Sequence, residues 1–244
     1  MPPIPPAAFP ETRWSLVLRA QTSATPDEQA RRALDELCAN YWYPLYAFAR
    51  RREIPPAEAE DLTQGFFALL ISRSLLEKAD RERGRLRSFL IGVFKLHIAD
   101  ETKREHRLRR GGGHTVVSFD QAQAEEWFVA ETADGAAPEQ LFDRDWAETV
   151  VAQAMRALEE ECAQKGKGPL FARLREFLSW DQAEPEVAAA ARDLGLTEGA
   201  LRVAVHRLRH NFRQQLQAQV AQTVTTPEEL QAELDHLFRT LLRE

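Results

Sequence analysis

Residues 194–212, LGLTEGALRVAVHRLRHNF, gather Arg202, Arg207 and Arg209 with His206 and His210 around a single acid, Glu198. Guanidinium groups at that density suit phosphates and the guanine edges of a major groove. Glu198, Arg202, His206, Arg209 and Arg213 recur at helical spacing on one face, with Arg207 beside them. A second basic concentration lies upstream, in Lys78, Arg81, Arg83 and Arg85, then Arg87, Lys95, Lys103, Arg104 and Arg107. Cations in that number fit a strand of phosphates. Other chemistry is thin. His97 and Asp100 lie one helical turn apart with Glu101 adjacent, but no Gly-rich phosphate loop, HExxH or nucleophile elbow accompanies them. Cys38 and Cys162 are far apart and have no CxxC or His cluster, so neither a zinc site nor another metal site is expected.

The elements that must position these residues read as helices throughout. The 3.6-residue period dominates and strand-like alternation is scarce. In the basic stretch, Leu201, Val205, Leu208 and Phe212 recur at spacings of four, three and four, which predicts one buried stripe. Upstream of it Pro185 opens a short Ala-rich helix, Gly195 supplies a left-handed turn, and Thr197 is an N-cap for the next helix. Helix, Gly turn and helix with a cationic outer face make a helix-turn-helix. Earlier helices are predicted over 27–52, with Pro44 breaking or kinking the chain, over 56–72 after Pro55-Pro56, and over 86–108. Gly111–Gly113 stop the last of these. Residues 118–148 carry nine acids against Arg144 alone, and 111–140 read as a flexible acidic linker. A second helical domain starts near Leu141, with a loop at 165–168 and a helix over 169–179.

The chain has 244 residues, 44% hydrophobic and 29% charged, with a net charge of -6. This composition buries a core in one large domain or two small ones. The longest apolar run, residues 66–71, is far short of the ~20 residues a bilayer needs, so no membrane insertion is expected. The opening MPPIPPAAFP lacks a basic region and an apolar region, so it reads as a Pro-rich lead of a cytoplasmic protein.

The helix-turn-helix alone predicts only DNA binding. AEDLTQGFFALL, residues 59–70, followed by RLRSFLIGVFKLHIAD, residues 85–100, resembles the sigma-70 family of RNA polymerase sigma factors, most closely the extracytoplasmic-function type. TEGALRVAVHRLRHNFRQQL resembles the end of the family's fourth region. The opening FPETRWSLVLRA and the tail AQTVTTPEELQAELDHLFRTLL resemble one subgroup, so the resemblance covers about residues 9–244. It implies an all-α fold: a lead over 1–25, a second-region domain over 26–110, the acidic linker over 111–140, a fourth-region domain over 141–218 with the helix-turn-helix, and a helical extension over 219–244.

The resemblance further implies a factor that binds core RNA polymerase, through the β′ clamp helices and the β flap, and directs it to promoter DNA without a cofactor or catalytic residue. Asp61 and Gln64 of the DLxQ helix take the polymerase-binding positions. Lys78, Arg81, Arg83, Arg85, Arg87, Lys95, Lys103, Arg104 and Arg107 take -10 positions, where the duplex opens. Thr197, Glu198, Arg202, Val203, His206, Arg207, Arg209 and Arg213 take -35 positions. Phe89 stands where the family has a Trp, with a packing role, and Phe66 and Phe67 are core. Leu96 departs from the pattern, since many members carry there an Asn that takes part in -10 recognition. An anti-sigma factor or another regulator is a further partner such factors can have. The acidic linker could occupy cationic polymerase channels as an RNA mimic or serve as a solvated spacer. A different reading of the same elements is a helix-turn-helix regulator whose first domain senses a ligand or dimerises. An amphipathic stripe of Leu230, Leu234, Leu237, Phe238 and Leu241 in the extension would cover the fourth region or bind a regulator.

Overall fold

The computed structural model describes residues 28–72, 86–108, 124, 128, 136–178, 186–224 and 226–242, with 29–37, 71–72 and 104–108 described by their backbone alone. The regular elements among them are helical: α1 (Glu28–Arg50), α2 (Pro56–Ser72), α3 (Leu86–Leu108), α4 (Pro138–Gln164), α5 (Gly168–Leu174), a 3-10 turn (Arg175–Leu178), α6 (Val187–Asp193), α7 (Glu198–Ala221) and α8 (Pro227–Leu241). They divide into two compact units. The first holds the described residues up to Glu148 and those from Ala221 onward; the second is Thr149–Val220. The division therefore falls within α4 and at the end of α7, where the sequence suggested 140 and 218. The C-terminal helix α8 belongs to the first unit, not to the unit of the helix-turn-helix.

α1 begins with Glu28 and ends with Arg50, charges that match the helix dipole at each end. It continues through Pro44, where a break or kink was expected. Proline there removes one backbone donor, but Tyr41, Leu45, Tyr46, Ala47, Phe48 and Ala49 around it are all buried. Burial of a single large apolar side chain is worth roughly 1.5–3 kcal/mol, so this row of contacts outweighs the local penalty. After Arg50 the chain turns with Glu53 at φ +63°. The Ile54 N–H bonds the Ala49 carbonyl and the Glu53 N–H bonds the Arg50 carbonyl, the paired bonds of a left-handed helix stop.

Pro56 then opens α2, as its fixed φ and missing N–H allow. The Thr63 hydroxyl is buried but donates to the Ala59 carbonyl at 2.7 Å, so it carries no unmet polar group. Along α3, Leu86, Leu90, Phe94 and Ile98 are buried at intervals of four. Phe66 of α2 packs on Phe94 of α3 with ring centroids 5.1 Å apart, and Phe48 of α1 meets Phe94 and Phe142 at 6.3 and 6.4 Å. Phe142 and Trp146 bring the start of α4 into this aromatic core.

Most of the stretch read as a linker, 111–140, lies outside the described residues, as does the lead. Of what is described, Ala124 is buried and the Phe128 ring sits 4.9 Å from the Arg50 guanidinium and 5.9 Å from that of Arg51. α4 begins at Pro138, three residues before the expected start. α8 has a complete capping box. Thr226 Oγ1 accepts from the Glu229 N–H at 3.2 Å, and the Glu229 carboxylate accepts from the Thr226 N–H at 3.3 Å. Leu230 and Leu237 are buried, while Leu234, Phe238 and Leu241 are partly covered. No described helix is long and apolar enough to cross a membrane.

Candidate nucleic-acid interface

In the second unit α6 is one short helix ending in a Schellman turn. The Leu196 N–H bonds the Ala191 carbonyl at 2.9 Å and the Gly195 N–H bonds the Arg192 carbonyl at 3.1 Å. Gly195 takes φ +63° between them, a conformation that a side chain would strain. Thr197 then caps α7: its Oγ1 accepts from the Ala200 N–H at 3.2 Å and its carbonyl accepts from the Leu201 N–H at 2.9 Å. Ala190 and Ala191 are buried in α6. Leu201, Val205, Leu208, Phe212, Leu216 and Val220 form the buried stripe of α7.

The opposite face of α7 is open. Glu198, Arg202, Val203, His206, Arg207, Arg209, His210 and Arg213 are exposed, Val203 to 51%. Arg202 reaches Glu198 at 3.7 Å across one turn, with both side chains more than half exposed. Such a surface pair is worth about 0–1 kcal/mol, so a phosphate can replace the carboxylate at little cost. Arg209 is used differently. Its Nε donates to the Phe177 carbonyl at 3.1 Å, tying α7 to the 3-10 turn and leaving its terminal nitrogens for other contacts. Gln215 donates to Glu161 at 2.8 Å and so joins α7 to α4 within the unit. The hydrogen bond from Lys165, with that from Gln215, holds the Glu161 carboxyl below the usual range. Arg173 of α5 bridges to Asp193 at the end of α6 at 3.0 Å. The outward face is thus carried by a helix fixed to its neighbours at several points.

In the first unit the cations expected at the -10 positions separate. Lys78, Arg81, Arg83 and Arg85 lie outside the described residues. Arg104 and Arg107 are placed on α3 by backbone alone. Lys103 is exposed on α3. Lys95 pairs with Glu139 at 2.5 Å and lies 5.8 Å from the Phe48 ring. Arg87 requires a correction. It is 5% exposed, and its guanidinium binds Asp143 of α4, approaches Glu233 of α8 at 3.5 Å and sits 4.8 Å above the Trp146 ring. His236 of α8 contacts the other Asp143 oxygen at 3.1 Å. With its charge met by two carboxylates and its face covered by an indole, Arg87 in this fold is a core ion, not a surface phosphate contact. Beside it burial drives the Tyr41 hydroxyl well above its ordinary range, a rise that the Arg87 charge partly offsets.

A second core ion pair was not anticipated from the sequence. Arg51 grips Asp145 with two parallel bonds of 2.5 and 3.1 Å, and Asp145 is 2% exposed. Nothing in local spacing marks these pairs, because the partners of Arg51 and Arg87 lie 94 and 56 residues away.

On α2, Asp61 is exposed, and Gln64 donates to Glu60 at 2.9 Å. Phe66 and Phe67 are buried, as expected for core. Phe89 is half-buried, and Leu96 is 66% exposed. His97 packs against Phe66 and Phe94, with its Nε2 facing Gly65. Burial lowers its pKa, opposed by the charges of Glu101 and Asp100 and by a hydrogen bond to the Leu62 backbone. Among the described residues no three His, Cys, Asp or Glu side chains converge as a metal site. In comparisons with protein-family models, curated proteins and solved structures, the chain matches none.

Proposed function

We propose that this chain is a dissociable transcription initiation factor of the sigma-70 type, close to the extracytoplasmic-function group. It binds core RNA polymerase, carries it to promoter -35 and -10 elements and assists opening of the duplex. The observation that supports this most is the capped helix-turn-helix, whose second helix has a buried apolar stripe and an exposed face of Arg202, Val203, His206, Arg207 and Arg213. A helix of that shape fits a major groove, where arginines read guanine and a valine methyl can meet thymine. The DLTQ segment supplies the rest of the reading. Asp61 is exposed on a helix whose other face is buried, which suits a basic partner surface.

Polymerase binding separates this reading from that of a self-sufficient helix-turn-helix regulator. The chain is expected to co-elute with core RNA polymerase on size exclusion, and Asp61→Ala to weaken the complex about tenfold, as loss of a charge contact at an interface does. A chain that ignores core polymerase, or an Asp61→Ala variant that binds it as before, contradicts the assignment.

A further inference from the structure

The acids at the start of α4 are turned onto cations of the same unit. Glu139 meets Lys95, Asp143 meets Arg87 and His236, and Asp145 meets Arg51. Glu233 of α8 adds a second carboxylate to Arg87. Lys95 and Arg87 both project from α3, the helix that carries Lys103 and the positively charged end at Arg104 and Arg107.

We propose that the start of α4, together with Glu233, is an intramolecular stand-in for nucleic-acid phosphate that occupies Lys95 and Arg87 in the free chain and leaves them when DNA binds. The inference rests on the reading above, in which α3 serves DNA. A carboxylate offers guanidinium and ammonium groups the same anionic acceptors as a phosphate. Glu139 and Asp143 are four residues apart, about 6 Å of helical rise, which is the axial span of roughly two phosphates on one strand. Acids also outnumber the cation at the buried end, where Asp143 and Glu233 share Arg87. The two ends differ in depth. The Lys95–Glu139 pair is 36% and 52% exposed, so it exchanges readily with another anion. Arg87 is enclosed and becomes available only when Asp143 and Glu233 withdraw, which couples α8 to the second step. The Lys95 hydrogen bond holds the Glu139 carboxyl below its usual range, as expected of a pair that forms in the free chain.

The test is binding of a fluorescein-labelled oligothymidine to the full chain, followed by anisotropy across a salt series. Each phosphate newly engaged steepens the dependence of log K on log salt by about 0.7 for a single strand. Glu139→Gln is expected to steepen the slope by about that amount and to tighten binding roughly five- to tenfold at 50 mM salt. Adding Asp143→Asn and Glu233→Gln steepens it again. Glu159→Gln, which makes the same charge change at a residue not paired with Lys95, leaves the slope as in the parent chain. If the triple variant does not fold, as circular dichroism would show, Glu139→Gln decides alone, because its pair lies at the surface. A folded Glu139→Gln chain with the parental slope and affinity overturns the mask. Co-elution with core polymerase, run on the same samples, keeps the two ideas apart. A gain in DNA affinity without polymerase binding retains the mask and removes the sigma reading, whereas polymerase binding with an unchanged slope removes the mask alone.

Discussion

Arg87 shows how much a single charge depends on its surroundings. Its guanidinium is held by Asp143 and Glu233 and covered by Trp146, so removing one carboxylate would leave a buried charge uncompensated, a loss of about 3–5 kcal/mol. His97 is a second buried ionisable group, with a different consequence. Its pKa is lowered, mainly by burial, so below the ordinary histidine range the unfolded chain binds more protons than the folded one. Stability is then fully present above pH ~6.5 and declines as pH falls toward the depressed folded value. Urea midpoints at pH 7.5 and 5.5 are expected to differ less in His97→Leu than in the parent chain; an equal difference would contradict this. At this scale the sequence is legible where the partner is local. Phe66, Phe67 and the Leu201–Phe212 stripe were readable as core from period alone, and Thr197 as a cap from its place before the helix. Arg87 was not, since sequence displays its charge but not the two acids, on α4 and α8, that enclose it.

Among the elements, the turn between α6 and α7 carries the clearest local logic. Gly195 sits at φ +63°, and a Cβ there would touch nothing within 4 Å, so a substitution would be penalised through the backbone alone. Gly195→Ala is therefore expected to cost about 1–2 kcal/mol. Gly199→Ala, inside α7 and equally unobstructed, is expected to raise stability by up to about 1 kcal/mol. Chemical denaturation of both variants checks the pair, and equal effects of one sign would refute the conformational argument. The bounds of α2 and α3 were readable as 56–72 and 86–108 because proline and the apolar period mark them on a short scale. α1 was misjudged at Pro44, since the aromatic packing that sustains it comes from tertiary contacts. α4 starts earlier than expected because its first acids are taken up by Lys95, Arg87 and Arg51.

For the whole molecule, the net charge of -6 is compatible with DNA binding because of where opposite charges meet. The α4 acids and Glu233 face cations within the first unit, while the outer face of α7 in the second unit keeps Arg207 and Arg213 exposed without an ion pair among the described residues. The amphipathic tail was legible as a helix, but its membership of the first unit was not, because nothing in its own period specifies which apolar surface it covers. The central claim is that these parts direct core polymerase to promoters. Run-off transcription from fragmented genomic DNA, with core RNA polymerase and the purified chain, tests it most directly. Discrete transcripts absent from core polymerase alone are expected, and Arg202→Ala with His206→Ala should reduce them at least tenfold while co-elution with polymerase is retained. Transcripts no different from those of core polymerase alone would contradict the account.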